Sequence, residues 1–189
     1  MGSKLDIPFP PQAVFIDRDG VLVRSRVIAG KPVAVRSMRD FRLLPGVIEA
    51  FSELKSAKLK TVIVTNQPDL AKGLITKETM AAMIERLNQR LAPDLILVCP
   101  HAQTEGCACR KPKPGLLLQG ADRLGIELSR AIMIGDRASD MAAGRAVCCQ
   151  CVFIDRHYAE PGPEAGTYRA SAAHFPAAVQ LILERLDKS

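Results

Sequence analysis

Two carboxylates one residue apart, Asp17 and Asp19, stand directly behind the apolar run Ala13-Val14-Phe15-Ile16, in the order Asp17-Arg18-Asp19-Gly20. Such a run reads as a strand, and residues i and i+2 of a strand share a face. Both carboxylates can therefore be aimed at one spot just past the strand's end. Gly20 allows the turn and the close backbone approach that a bound ligand needs. Two clustered carboxylates suit a divalent cation, and a carboxylate can also act as a nucleophile toward phosphorus. Acidic turns also end strands where nothing binds, so the pair needs support from elsewhere in the chain.

A second cluster is Cys99-Pro100-His101, then five residues, then Cys107-Ala108-Cys109. Three Cys and one His within eleven residues match the Cys₃His class of structural zinc sites. Thiolate softness favours zinc over magnesium, and an iron–sulfur cluster would call for a fourth Cys. A disulfide is the competing reading, disfavoured where thiols are kept reduced. Four protein ligands close the coordination shell, so this metal is expected to fold the 99–109 loop rather than to catalyse. The loop leads straight into Arg110 and Lys111. Cys148, Cys149 and Cys151 read instead as small buried thiols entering an apolar strand.

These groups must be positioned by an alternating series of elements. Strands are expected near 13–17, 61–65, 95–98, 131–134 and 151–154, with a weaker sixth near 171–174. Helices are expected at 46–57, 77–91, 115–124, 138–146 and 175–187. That order predicts an α/β fold, a central and mostly parallel sheet flanked by helices. Strand ends then deliver Thr65-Asn66-Gln67 and Gly135-Asp136-Arg137, with Asp140 close behind. No interval is long enough for a separate cap domain. The chain reads as one domain, 1–189, with residues 22–45 as a flap and 155–170 as a loop.

Composition bounds the partners. The chain has 189 residues, 48% hydrophobic and 24% charged, which suits a globular protein with a real core. No apolar run approaches the roughly 18 residues that span a bilayer. Residues 1–11 lack the charged start and apolar stretch of a signal peptide, and a cytoplasmic location is expected. The net charge of +6 is uneven: Arg24, Arg26, Lys31, Arg36, Arg39 and Arg42 face the single acid Asp40 within 24–42. An anionic substrate is the natural partner for that stretch. Aromatics at 4% and the absence of Trp disfavour a nucleic-acid stacking platform.

Taken in order, Asp17-x-Asp19-Gly20, Thr65-Asn66-Gln67, Arg110-Lys111-Pro112 and Gly135-Asp136 with Asp140 resemble the four motifs of the haloacid dehalogenase-like phosphatase superfamily, over roughly residues 13–154. The Cys-x-His…Cys-x-Cys loop and the Arg-Lys-Pro-x-Pro-Gly run narrow the likeness to the D-glycero-D-manno-heptose-1,7-bisphosphate phosphatases, with the histidinol-phosphate phosphatases as close relatives. The resemblance implies a Rossmann-like domain and a magnesium-dependent phosphomonoesterase. It implies that Asp17 is the nucleophile, forming an aspartyl-phosphate, and that Asp19 is the general acid and base. Mg²⁺ would be held by Asp17, the Asp19 backbone carbonyl and Asp136. Thr65, Asn66 and Lys111 would donate to phosphate, and Asp140 would orient Lys111 or a metal-bound water. Arg110 suits bidentate contact with a second phosphate or sugar hydroxyls. Gln67, Arg137 and the basic flap are further candidates for that task, with a structural ion pair as the other reading of Arg137.

Two departures from the heptose enzymes bear on substrate rather than on reaction. Val21 stands where a Thr is usual. Gln67-Pro68-Asp69-Leu70-Ala71-Lys72-Gly73 replaces a Ser-Gly-containing run, so Pro68 removes a backbone N–H and Asp69 adds an anion near the pocket. The leading substrate is a heptose 1,7-bisphosphate, and the enzyme is expected to act as a monomer. Histidinol phosphate or another small sugar phosphate is the same-class alternative. A catalytically silent module that only holds phosphorylated ligands is the alternative of a different class.

Overall fold

Every side chain of the run Ala13–Ile16 is fully buried, which requires protein on both faces of that strand. The computed structural model describes residues 10–186, so the reading of residues 1–9 and the last residue of the helix expected at 175–187 fall outside the described residues. The run forms β1 (Ala13–Ile16) at the centre of a six-stranded sheet. Its partners are β4 (Lys60–Asn66), β5 (Leu95–Cys99), β6 (Ala131–Gly135), β7 (Gln150–Ile154) and β8 (Ala170–Ala172). The order is β5-β4-β1-β6-β7-β8, and every pairing in this sheet is parallel.

The alternation of side chains along each strand divides the core in two. Val14 and Ile16, with Ile63, Ile132 and Ile134, pack beneath α1 (Val47–Ser56), α3 (Lys77–Leu91) and α6 (Phe175–Leu186). Phe15, Val62, Val64 and Met133 face the other way, toward α4 (Gly115–Leu124) and α5 (Ala138–Arg145). Thr76 caps α3 by accepting from the Thr79 N–H at 3.1 Å.

The connection order matters most for function. The chain runs outward from β1 through β4 to β5, then returns to β6 on the other side of β1. Connections therefore part company at the carboxyl ends of β4, β1 and β6, where a crevice opens in sheets of this kind. Those ends carry Asn66, Asp17 and Asp136.

Two short features were not legible as elements. Residues Arg26–Ile28 (β2) and Lys31–Val33 (β3) form an antiparallel hairpin with positive φ at both turn residues, Ala29 and Gly30. It projects from a segment that is otherwise anchored, because Leu22, Val23, Val35 and Phe41 are buried in the core. The flap is thus a hairpin on fixed roots, not a free basic loop. Pro68–Ala71 form a one-turn helix, α2, in which Pro68 occupies the first turn and its missing N–H costs no helix hydrogen bond. A further correction concerns Cys148, which is exposed at positive φ, whereas Cys149 and Cys151 are buried as expected.

Leu54 on α1 lies in the core far from the strand ends, so Leu54→Ala is expected to cost about 2–5 kcal/mol. Chemical denaturation should show the loss, with the function of the remaining folded protein intact.

Candidate active site

Asp17 follows β1 directly, and its backbone N–H donates to the Ile134 carbonyl at 2.9 Å, which carries the β1–β6 ladder one residue further. Its carboxylate meets Lys111, whose Nζ lies 2.5 Å from Asp17 Oδ1, 2.7 Å from Asp140 Oδ1 and 2.9 Å from the Val64 carbonyl. Asp17, Lys111, Asp136 and Asp140 are all buried. Burial pushes the Asp17 carboxyl up to about 7, aided by the Asp140 and Asp19 carboxylates and opposed by Lys111. Burial works to lower Lys111, but Asp140 and Asp17 outweigh it and hold the ammonium above its usual range. Asp136 is raised well above the carboxylate range by burial and by Asp17 and Asp140.

One lysine does not balance three buried carboxylates, and the structure shows where the deficit lies. Asp136 Oδ2 accepts from the Tyr158 hydroxyl at 2.7 Å, but its Oδ1 is buried with no hydrogen-bond partner among the described residues. Carboxylate oxygens of Asp17, Asp136 and Asp140 lie within 4.8 Å of one another. An unpartnered carboxyl oxygen in an all-oxygen cluster fits a hard divalent cation. Asp140 has both oxygens engaged, Oδ1 with Lys111 and Oδ2 accepting from the Arg137 N–H at 3.0 Å at the start of α5. With Asp140 so engaged, Asp17 and Asp136 are the members of the cluster that could hold a cation.

Glycine is required beside this cluster. Gly20 has φ +81°, and a Cβ there would overlap Asp136 Oδ2 and sit 2.7 Å from the Tyr158 hydroxyl. The Gly20 carbonyl accepts from Arg156 Nε at 2.8 Å. Tyr158 and Arg156 lie in the segment read only as a loop, and no spacing in the sequence marks them as partners of Gly20 and Asp136.

Asp19 is held differently. The wholly buried Arg18 grips it in a fork, Nε to Oδ2 at 2.9 Å and Nη2 to Oδ1 at 3.0 Å, while Arg18 Nη1 rests on the sulfurs of Met80 and Met83. Gln67 Nε2 donates to Asp19 Oδ2 at 2.7 Å and to Thr65 Oγ1 at 2.8 Å. Gln67 is completely buried and braces Asp19 and Thr65. Asn66 lines the cavity, and its side chain also pairs with the Lys111 backbone: Nδ2 donates to the Lys111 carbonyl at 3.0 Å and Oδ1 accepts from the Lys111 N–H at 3.1 Å. This two-point pairing locks the Lys111 backbone to the end of β4.

The 99–109 loop starts at the next strand end, since Cys99 closes β5 opposite Asn66. Its ligand atoms are gathered: Cys99 Sγ lies 3.6 Å from both Cys107 Sγ and His101 Nδ1, Cys109 Sγ lies 3.5 Å from Cys107 Sγ, and His101 Nδ1 lies 3.2 Å from Cys109 Sγ. Tetrahedral thiolates at zinc's bond length stand about 3.8 Å apart, so the quartet has the dimensions of a four-coordinate metal site. All six cysteines are free, so none is in a disulfide.

Above the acidic floor lies a cavity of about 550 Å³ with an exposed basic rim of Arg36, Lys113 and Arg137. Arg110 lines it with Nη1 buried and unpartnered among the described residues, a donor suited to an anion. Arg137 is in the structural pair considered for it, 2.5 Å from Glu160, and it also donates to the Pro32 carbonyl of the hairpin at 3.5 Å.

Comparison with known proteins decides the family. A family model of the haloacid dehalogenase-like hydrolases matches residues 26–147. The chain belongs to this family. Among the curated relatives of this haloacid dehalogenase-like hydrolase is the D-glycero-beta-D-manno-heptose-1,7-bisphosphate 7-phosphatase of Pseudomonas aeruginosa, 34% identical over 146 residues, covering 75% of this chain and 79% of the relative. The enzyme of the same name from Helicobacter pylori is 37% identical over 139 residues, covering 70% and 76%. A crystal structure of the D,D-heptose 1,7-bisphosphate phosphatase from B. bronchiseptica, complexed with magnesium and phosphate, superposes with a TM-score of 0.80 at 29% identity, covering 92% of this chain and 99% of that one.

The raised Asp17 carboxyl gives the hydrolase a pH signature. It keeps its proton up to about pH 7 in the folded protein against 3.8 as the ordinary value, so its contribution to stability is full below about pH 4 and is lost as pH rises through about 7. Metal-free protein, compared with Asp17→Asn, should lose stability over that window in thermal melts. Mg²⁺ competes with the proton, and its stabilising shift should be larger at pH 8 than at pH 5.5.

Proposed function

We propose that this hydrolase is a magnesium-dependent phosphomonoesterase that removes the 7-phosphate of D-glycero-D-manno-heptose 1,7-bisphosphate through an aspartyl-phosphate. The observation that carries the reading is the convergence of Asp17, Lys111 and the orphaned Asp136 oxygen at the floor of one cavity with a basic rim. The names and the 34–37% identity of the curated relatives support the substrate.

Asp17 and Asp136, with the Asp19 backbone carbonyl, would hold the magnesium ion. When bound, the ion supplies charge neutralisation for the carboxylates and for phosphate oxygens. The Asp17 carboxylate then attacks phosphorus, the new O–P bond forms and the P–O bond to the sugar breaks. Lys111, aimed by Asp140, and the Thr65 hydroxyl donate to the oxygens of the transferring group. Asp19 gives its proton to the departing sugar oxygen. In the second half-reaction water attacks the aspartyl-phosphate, its proton passes to Asp19, and phosphate leaves with Asp17 restored. The fork from Arg18 and the bond from Gln67 hold Asp19 in place for both transfers, and its Oδ1, which among the described residues accepts only from Arg18 Nη2, keeps a lone pair that can carry the proton.

The Cys99, His101, Cys107 and Cys109 quartet is assigned to structural zinc. Its role is mechanical, because the loop it folds carries Arg110 and Lys111 from the end of β5 to the end of β4. Burial pushes the Cys99 thiol up to about 12 in the absence of a cation, a cost that a bound zinc ion reverses.

Phosphate release should be measured with Mg²⁺ from both anomers of the heptose bisphosphate, fructose 1,6-bisphosphate, histidinol phosphate and a 3′-phosphorylated oligonucleotide. One heptose anomer is expected to lead by at least about tenfold in kcat/KM, and Asp17→Asn should lose at least about 10³-fold in turnover on all of them. Equal rates across the panel would remove the heptose assignment. Metal analysis should return one zinc per chain, and chelation should lower Tm and abolish activity that added Mg²⁺ alone does not restore.

A further inference from the structure

The basic hairpin and the departure at Pro68-Asp69 were separate features of the sequence, and the structure joins them. Arg36, just past the hairpin, donates through Nε to Asp69 Oδ2 at 2.7 Å. Asp69 is buried at the start of α2, three residues after β4 ends at Asn66, and lines the same cavity as Asp17 and Asp19. Left alone, a carboxylate there would repel any phosphorylated ligand. Paired, it cancels its own charge and does something more. The bond uses only Nε, and 47% of the Arg36 side chain is exposed to solvent. The two terminal nitrogens of the guanidinium are therefore still available as donors at the mouth of the cavity, which Arg110 also lines with its buried, unpartnered Nη1.

We propose that Arg36 is a specificity-determining residue that binds the distal phosphate of a bisphosphorylated sugar together with Arg110, and that Asp69 is the positioning residue that aims it. This rests on the phosphatase reading above and adds to it the group that reads the far end of the substrate. A guanidinium fixed at Nε presents a planar, pre-oriented fork and has less freedom to lose when an anion arrives. It also repels a substrate whose far end is an amine. The alternative, a staple that merely fastens the hairpin to α2, places no demand on the second phosphate.

The test is a ratio: kcat/KM of the magnesium-loaded full chain for the heptose bisphosphate divided by that for p-nitrophenyl phosphate, which has no second anion. In Arg36→Gln the ratio should fall about 10- to 100-fold, the scale of charge-assisted hydrogen bonds, carried by KM more than by kcat. In Asp69→Asn it should fall about 3- to 10-fold, because the guanidinium is kept but no longer aimed. Should Arg36→Gln fail to fold, Arg36→Lys provides the same reading, since an ammonium cannot serve Asp69 and a phosphate with one fixed fork. A ratio unchanged in these variants, with both substrates and Tm falling together, overturns the proposal and leaves the staple. A wild-type enzyme with no preference for the bisphosphate instead overturns the substrate reading on which the proposal rests.

Discussion

Lys111 is the charge around which the site is assembled. An ammonium with almost no exposure is expensive to desolvate, and it is tolerated here because three oxygens, from Asp17, Asp140 and Val64, take its three protons. The reverse also holds, since Asp17 and Asp140 could not both stay anionic at such depth without it. Breaking a pair of this kind by removing one partner typically costs about 3–5 kcal/mol. The cluster is still short of positive charge, and the unpartnered oxygen of Asp136 is where that shortage is exposed. A divalent cation would relieve that shortage, in competition with the protons that the raised Asp17 and Asp136 carboxyls otherwise keep.

Two devices deliver Lys111 to its place, and neither belongs to the sheet ladder. The Asn66 side chain pairs with both backbone polar groups of Lys111. The Cys–His quartet shapes the loop that begins at Cys99, whose carbonyl accepts the Gln67 N–H at 2.7 Å. A loop with so little apolar content has little packing to hold two cations in register, and a closed metal site of the proposed kind would supply the missing rigidity. On the far side, Arg156 and Tyr158 reach back from the β7–β8 connection to Gly20 and Asp136. The catalytic turn after β1 is therefore clasped from both sides.

Charge compensation runs outward from this floor to the rim. Arg18 neutralises Asp19, Arg36 neutralises Asp69 and Arg137 neutralises Glu160. Within the basic stretch 24–42 only Arg36 is in an ion pair among the described residues, and the donor left buried and unpaired in the cavity wall is Arg110.

The six strands of the sheet and most helix limits were legible in the sequence, as was the set of polar residues that the fold gathers at the strand ends. Apolar runs of four or five residues alternating with helical stretches read as strands of a parallel sheet, whose carboxyl ends then lie along one edge. The Cys₃His loop was legible because its four ligands are close in the chain. What the sequence could not show were pairings between distant segments: Arg36 with Asp69, Tyr158 with Asp136, Arg156 with Gly20, Gln67 with Asp19 and Asn66 with the Lys111 backbone. Local spacing encodes which face a residue occupies, but not which of several equidistant partners it takes. That Gln67 meets Asp19 and Asn66 meets the Lys111 backbone depends on acceptors brought from other segments by the fold, which the motif itself does not specify.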